Sequence, residues 1–227
     1  KDVTFLSENH KIYKITGLVT STYLTSFYGR GTVANGQAEI TASEGIYILE
    51  AGKLDVDTAL GCNVTAYYKE NVSESTLDLL YLEPSAKNTI TTVKDSDIVS
   101  FTDNAYTYYT DAQSGRTEKA KLSASAAILY NGAALQDSSG ITPDFYTPSV
   151  GFVTLIDYDS DGYVDVLKIS SYVNFVVGGL DKDKYIVYDK YDSNKSIILD
   201  EDASDQTVLF FDPNGSPMNF NSINEWN

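Results

Sequence analysis

The residues best suited to chemistry form a short acidic run at positions 157–165, with the sequence Asp-Tyr-Asp-Ser-Asp-Gly-Tyr-Val-Asp. Three carboxylates on alternate residues, followed by a glycine, are typical of the first half of a calcium-binding loop. Alternate aspartates can turn inward around one point, and the glycine permits the sharp turn that wraps the loop. We therefore predict a Ca²⁺ site whose ligands are the side chains of Asp157, Asp159, Asp161 and Asp165 and the carbonyl of Tyr163.

The segments on either side of the acidic run indicate a β-hairpin. An EF-hand would place a bidentate glutamate at the twelfth position, where this chain has Lys168. Residues 151–156 and 164–169 are instead apolar or β-branched runs of strand length. We expect a calcium loop at the tip of a hairpin, where a bound ion is structural. The alternative is an acidic turn without metal, because Asp, Ser and Gly are common turn residues.

The remaining polar residues form no pattern that is typical of a catalytic site. His10 is the only histidine, and nothing near it resembles a nucleophile elbow. The acidic run at residues 200–205 is interpreted as a solvated turn, in preference to a second calcium site or an active centre. We predict that the protein is not an enzyme. A carbohydrate-active enzyme that uses two carboxylates is the least favoured hypothesis, after a structural protein and a glycan-binding module.

Clustered tyrosines are the second group of candidate functional residues. Exposed tyrosine rings could stack on sugars, but tyrosine is also at home in strands, where its ring packs and its hydroxyl reaches water. Packing is the favoured interpretation, and a glycan-binding surface is the alternative. The clustered residues are Tyr67, Tyr68, Tyr106, Tyr108 and Tyr109.

Composition limits the partners and the compartment. The 227 residues include 32 acidic and 16 basic side chains, for a formal charge of −16. This balance argues against nucleic acid and anionic membranes as partners and favours cation binding. No apolar run is long enough to insert into a membrane. The single cysteine, Cys62, excludes an intramolecular disulfide but does not fix the compartment. A calcium site of modest affinity fills readily outside the cytosol, so we expect an extracellular protein.

Patterning predicts an all-β protein built from tandem small β-barrel or β-sandwich domains. Tyr, Phe, Val, Ile and Thr are abundant, and turn clusters recur at intervals of strand length. We predict one domain at residues 1–102 and a second at 103–227, which carries the calcium hairpin and continues beyond residue 227. A short helix is predicted at residues 56–60. The predicted strands are 11–20, 36–41, 45–49, 62–69, 77–82, 100–101, 105–110, 119–130, 151–157, 163–169, 172–177, 184–188, 196–199 and 207–212.

A family resemblance extends this interpretation. The segments 128–132 and 151–166, together with Tyr172, resemble a recurring pattern in modular β-domain proteins. Such modules occur in surface-layer-associated proteins of Gram-positive bacteria and in virion structural proteins of the phages that infect them. The segments 60–69 and 79–84 are similar to the preceding module, although Cys62 stands where an aromatic residue is expected. The resemblance covers residues 45–226, and residues 1–44 match no module.

The resemblance implies a non-catalytic structural protein of an extracellular assembly, either a phage virion or a bacterial surface layer. Its partners would be copies of itself or other subunits, contacted through strand edges and tyrosine-rich faces. The alternative function is a module that binds cell-surface glycan.

Overall fold

The computed structural model describes residues 11–27, 32–135, 142–200, 208, 210–214 and 216–224. Almost all of the regular structure is β, which confirms the all-β prediction. Within these residues, no helix has the length and apolar character needed to cross a membrane. The chain divides into two compact units, Lys1–Tyr172 and Val173–Asn227.

The strands of the described residues are numbered β1 to β17 in chain order. Short 3-10 helices cover Asp95–Asp97, Pro143–Tyr146 and Phe220–Ser222. The strands are Ile12–Thr22, Gln37–Ala42, Gly45–Glu50, Asn63–Asn71, Thr76–Pro84, Thr89–Lys94, Ile98–Thr102, Ala105–Asp111, Arg116–Tyr130, Ala133–Ala134, Gly151–Asp157, Tyr163–Ser171, Val177–Asp181, Ile186–Asp189, Ser196–Ile198, Phe210–Phe211 and Pro217–Met218.

The first five strands form a closed barrel in the order β1-β2-β3-β5-β4. The long strand β1 pairs with β2 on one side and with β4 on the other, both antiparallel. The barrel closes through a parallel contact between β3 and β5 at one register pair, Glu50 and Asp78. Alternate residues such as Val64 and Ala66 are buried inside, as expected for strands with one face toward a core.

The second sheet follows the order β6-β11-β12-β9-β8-β7, with β10 beside β9. Strands β6 and β7 lie at opposite edges, yet only Asp95–Asp97 separate them in sequence, so the sheet must curl until its edges approach. The Tyr108 hydroxyl of β8 is hydrogen-bonded to Thr91 of β6, across the gap. Residue 102, the predicted domain boundary, is the last residue of β7 and lies within this sheet. The curl encloses a core that includes Val93, Phe101, Tyr106, Val153 and Leu167.

Strands β11 and β12 contribute to two cores at once. Leu155 and Leu167 face the core enclosed by the curled sheet. Ile156 and Val166 belong instead to the core of the barrel. The curled sheet therefore packs against the barrel within the first compact unit, and the strands that carry the acidic run lie at this joint.

The second compact unit contains the sheet β13-β14-β15 and the hairpin β16-β17. Phe220 is fully buried there. Its ring packs edge-on against Tyr185, with centroids 5.4 Å apart, and against Phe210, with centroids 6.1 Å apart. These rings supply the packed centre of a unit with short strands.

Two local predictions are wrong. Residues 56–60 form consecutive turns instead of a helix, because the segment is short and its hydrogen bonds span three residues, as in Ala59 N–H to the Val56 carbonyl at 3.2 Å. The strand predicted at 172–177 begins only at Val177, since residues 172–176 are part of no ladder with a described strand. The strand Thr89–Lys94 was not predicted. Of the segment predicted at 207–212, residues 207 and 209 lie outside the described residues, and the strand observed is Phe210–Phe211.

Candidate metal centre

The acidic run forms the turn of the β11–β12 hairpin. Asp157 is the last residue of β11, and Tyr163 is the first residue of β12. Antiparallel pairing opposes Ile156 and Val166, so Asp165 returns close to the start of the turn. The strands predicted on both sides of the run are present, and they position its carboxylates.

Three carboxylates converge in this turn. One oxygen from each of Asp157, Asp159 and Asp165 lies within 4.8 Å of the other two. Calcium binds oxygen at about 2.3–2.6 Å, so two ligands of one ion can be separated by up to about 5 Å. The spacing of these three side chains therefore fits a single shared ion.

The backbone of the turn wraps around Asp157. Its Oδ1 accepts hydrogen bonds from the N–H groups of Asp159 at 3.2 Å and Ser160 at 2.7 Å. Its Oδ2 accepts one from the N–H of Gly162 at 3.0 Å. Ser160 and Gly162 both have positive φ, 65° and 87°, which gives the chain its tight curvature. The predicted role of the glycine in the sharp turn agrees with this geometry.

One predicted carboxylate ligand, Asp161, lies outside the group of three. Asp161 Oδ1 accepts a hydrogen bond from the N–H of Tyr163 at 2.8 Å, and the N–H of Asp161 donates to Asp159 Oδ1 at 3.1 Å. Asp161 thus organises the turn in this conformation. Its role as a ligand, and that of the Tyr163 carbonyl, stay predictions.

The electrostatics of the group favour a cation. Burial raises the pKa of Asp165 above its ordinary value, and the charges of Asp159, Asp161 and Asp157 raise it further. A hydrogen bond from the N–H of Tyr158, 3.1 Å long, opposes this shift. Ionising Asp165 is therefore less favourable than ionising an isolated aspartate, and a nearby positive charge would reverse this effect. A divalent ion between the carboxylates would supply it.

The turn is fastened to two other parts of the chain. Asn63 Nδ2, at the start of β4, donates to the Tyr158 carbonyl at 3.0 Å. Ser160 Oγ donates to the Lys87 carbonyl at 2.6 Å, in the connection between β5 and β6. The ring of Tyr158 packs against the barrel core. The candidate metal centre therefore lies where the barrel meets the curled sheet.

Asn63 is itself held by a reciprocal pair of hydrogen bonds. Its N–H donates to Asn88 Oδ1 at 3.0 Å, and Asn88 Nδ2 donates to its carbonyl at 2.8 Å. These supporting asparagines were not identified from sequence, because they belong to no motif and are 25 residues apart. Only the fold brings them beside the turn.

The clustered tyrosines divide between interior and surface. Tyr106 and Tyr108 are buried in the core of the curled sheet, and the Tyr106 hydroxyl donates to the Tyr146 carbonyl at 2.6 Å. Burial raises the pKa of Tyr106. Tyr68 packs against the barrel core, whereas Tyr109 is exposed. The packing interpretation therefore suits three of the five residues. The remaining one, Tyr67, lies on the outer face of the barrel.

Burial shifts the pKa values of both Cys62 and Lys168. Cys62 is buried, and burial raises the pKa of its thiol, so it packs as an apolar residue. Lys168, at the twelfth position, lies in β12, and burial lowers its pKa. His10 and residues 201–205 lie outside the described residues.

No protein-family model matches the chain, and neither does any curated protein or any solved structure.

Proposed function

We propose that the protein is a non-catalytic structural component of an extracellular assembly, a phage virion or a bacterial surface layer, stabilised by Ca²⁺. The observation that carries this proposal is the convergence of Asp157, Asp159 and Asp165 in a turn that is tied to the barrel. Asp161 and the Tyr163 carbonyl complete the proposed ligand set.

Calcium is the ion that best suits the donor atoms. The converging groups are all carboxylates, and hard oxygen ligands select calcium, magnesium or manganese over zinc and copper. Calcium accepts irregular and flexible oxygen shells, whereas magnesium demands near-octahedral geometry and holds its water. A loop of alternating aspartates supplies the former kind of shell. The formal charge of −16 gives a further reason for cation binding, because neutralisation reduces repulsion.

A structural role follows from where the ion would act. The turn contacts the barrel through Asn63 and the β5–β6 connection through Lys87. Removing the repulsion among its carboxylates would fix the turn and, with it, the joint between barrel and sheet. Rigid subunits lose less conformational entropy when they enter an ordered assembly.

Strand β3 supports contacts with copies of the chain or with other subunits. It pairs with β2 along its whole length, but with β5 only at Glu50. The other edge of residues 45–49 therefore pairs with no described strand. Ile46 and Ile48 on this strand are each 48% exposed. A free strand edge with exposed apolar side chains is a site for pairing with another chain.

The test is light scattering coupled to size-exclusion chromatography at high protein concentration, in millimolar calcium and again in chelator. We expect growth into oligomers or sheets with calcium and a smaller species in chelator. A monomer under both conditions would contradict the assembly proposal. Calorimetric titration with calcium tests the metal site separately, and no measurable binding at millimolar calcium would contradict that part.

Matched variants connect the two measurements. Asp159→Asn removes one converging carboxylate and should abolish calcium-dependent growth. Asp183→Asn is the control, since Asp183 is an exposed aspartate in the β13–β14 turn and its replacement changes the net charge equally. Equal loss of growth in both variants would assign the effect to net charge alone.

A further inference from the structure

A pair of tyrosines, the exposed Tyr81 and the half-buried Tyr67, lies on the outer face of the barrel. Lys14, Tyr67 and Tyr81 are in register across β1, β4 and β5. The ring centroids of Tyr67 and Tyr81 are 6.1 Å apart, and their planes are inclined at 37°. Lys14 Nζ lies 6.0 Å from the centroid of the Tyr67 ring. These three residues form one row of the outer face.

A β-bulge turns Tyr81 outward. Tyr68 pairs with Leu79 and Tyr67 pairs with Tyr81, so Leu80 is an additional residue in β5. Leu79 is buried in the barrel core, and strict alternation from it would place Tyr81 inside as well. With the bulge, Tyr81 is 57% exposed. Bulges often re-aim a side chain beside a functional site.

Polar groups and a cleft border the tyrosine pair. In the neighbouring row of the same face, the hydroxyls of Thr16 and Thr65 lie 3.3 Å apart, and Glu83 is the register partner of Thr65. Tyr81 also lines a cleft of about 250 Å³. The cleft is also lined by Leu54, Asp55, Thr58, Pro84 and Ile90.

The charged side chains of strands β1, β4 and β5 carry a small acidic excess. Lys14 and Lys69 stand against Glu70, Asp78 and Glu83, and Asp55 lines the cleft. Lys69 Nζ and Asp78 Oδ2 lie 3.7 Å apart. An acidic ligand therefore meets no excess of positive charge here, whereas a neutral ligand carries no charge to be repelled.

We propose that this face binds a neutral glycan. A pyranose has one apolar C–H face, which suits the exposed ring of Tyr81 beside the half-buried ring of Tyr67. It also has hydroxyl groups at its rim, which suit the Glu83 carboxylate and the Thr65 hydroxyl. The cleft beside Tyr81 gives room for a second sugar of the same chain. None of the residues named for this site belongs to the calcium turn, although Ile90, which lines the cleft, lies in β6 of the curled sheet.

The experiment is a calorimetric titration of the full chain with hexasaccharides of glucose, of N-acetylglucosamine and of mannose, in calcium and in chelator. We expect at least one to bind in calcium, and the titration in chelator shows whether an ordered turn is needed. Tyr81→Ala should weaken its binding about tenfold, or about 1.4 kcal/mol, as for an aromatic residue central to an interface. Tyr81→Phe, which keeps the ring, should retain most of the affinity.

Tyr191→Ala is the matched control. Tyr191 is 77% exposed in the second compact unit, and Lys190 Nζ lies 5.1 Å from its ring centroid, as Lys14 lies near Tyr67. Its replacement should leave the affinity unchanged. The proposal is overturned if no oligosaccharide binds, if Tyr81→Ala binds as the wild type does, or if both alanine variants lose affinity equally. Because Tyr81 is at the surface, we expect Tyr81→Ala to fold as the wild type does, and a thermal melt checks this.

Discussion

The turn at residues 157–165 and the turn at residues 111–116, between β8 and β9, begin in the same way. Asp157 Oδ1 accepts the N–H groups two and three residues ahead, and Asp111 Oδ1 does the same with Gln113 at 3.0 Å and Ser114 at 3.3 Å. After this shared start they differ. The longer turn brings two further carboxylates to the first, while the shorter one passes through Gly115 into β9.

The comparison shows that an aspartate at the start of a turn is not by itself evidence of a metal site. Hydrogen bonds, first from Ser114 and then from Gln113, lower the pKa of Asp111. Burial and neighbouring carboxylates raise the pKa of Asp165. In the shorter turn, hydrogen bonds stabilise the ionised form of Asp111. In the longer turn, burial and neighbouring carboxylates make the ionised form of Asp165 less favourable.

Replacing Asp159 should produce the largest difference between the two turns. Asp159→Ala should lower the thermal stability measured in calcium and change it little in chelator, because it removes a ligand. For a site at a calcium concentration one hundred times its dissociation constant, linkage gives about 2.7 kcal/mol. Gln113→Ala alters the equivalent position of the shorter turn and should show no calcium dependence. Identical melting of the wild type in calcium and in chelator would show that the longer turn binds no metal.

Glycine replacements separate backbone strain from metal binding. Gly162 has a φ of 87° and Gly115 has a φ of 68°, and a methyl group added at either would meet no atom within 4 Å. Gly162→Ala and Gly115→Ala should each lower the free energy of unfolding by about 1 kcal/mol in chelator, because the left-handed region is unfavourable for alanine. Only Gly162→Ala should also weaken calcium binding. Urea unfolding and calcium titration measure the two effects, and equal calcium affinities would remove the distinction.

The attachment of the longer turn to the barrel can be broken at one hydrogen bond. Asn63→Ala removes the donor to the Tyr158 carbonyl but leaves the backbone groups that hold Asn88. We expect a loss of about 1 kcal/mol in unfolding free energy. We also expect weaker calcium binding, since the turn is less well ordered. Thr110→Ala is a control from the shorter turn's strand, where the hydroxyl donates to the Arg116 carbonyl at 3.4 Å. Unchanged calcium affinity in Asn63→Ala would show that the barrel does not support the site.

The smallest expected effect is a difference in pH dependence, measured in chelator. The raised pKa of Asp165 means that the folded state holds the Asp165 proton more tightly than the unfolded state does. The contribution of Asp165 to stability is therefore lost as pH rises through the folded-state pKa. The lowered pKa of Asp111 acts oppositely, and its contribution is lost as pH falls through the folded value. Relative to wild type, Asp165→Asn should therefore gain stability with rising pH and Asp111→Asn should lose it. Urea midpoints from about pH 3 to about pH 7 cover both transitions. Slopes of the same sign would contradict the comparison.

The hairpin around the acidic run was predicted closely from sequence. Residues 151–157 were predicted as a strand and are observed as one, because β-branched and apolar residues run unbroken up to the aspartates. Of the four aspartates predicted from their spacing to share one ion, Asp157, Asp159 and Asp165 lie together and Asp161 does not, while the ion itself stays a prediction. Such features depend on residues that are near in the chain, so their pattern is visible in a single sequence.

Features that depend on distant residues were not predictable. Strand β6, with the sequence TITTVK, has one buried residue, Val93, and therefore carries almost no periodic signal. The orientation of Tyr81 was hidden for another reason. Alternation from Leu79 predicts that it points inward, and only the register with Tyr67 reveals the bulge. The contact between Asn63 and Tyr158 spans 95 residues, a separation at which a single sequence carries no signal.

The position of β6 in the curled sheet has a consequence for the order of folding. Its pairing partner is β11, and Thr92 and Thr154, whose hydroxyls lie 3.4 Å apart across the pair, are 62 residues apart in the chain. During synthesis β6 must wait for β11 to emerge, while the β7–β8 and β8–β9 hairpins can form locally. Until β11 is available, the unpaired β6 can pair with a non-native strand. Its threonines are then an advantage, because a polar strand aggregates less readily than an apolar one during that interval.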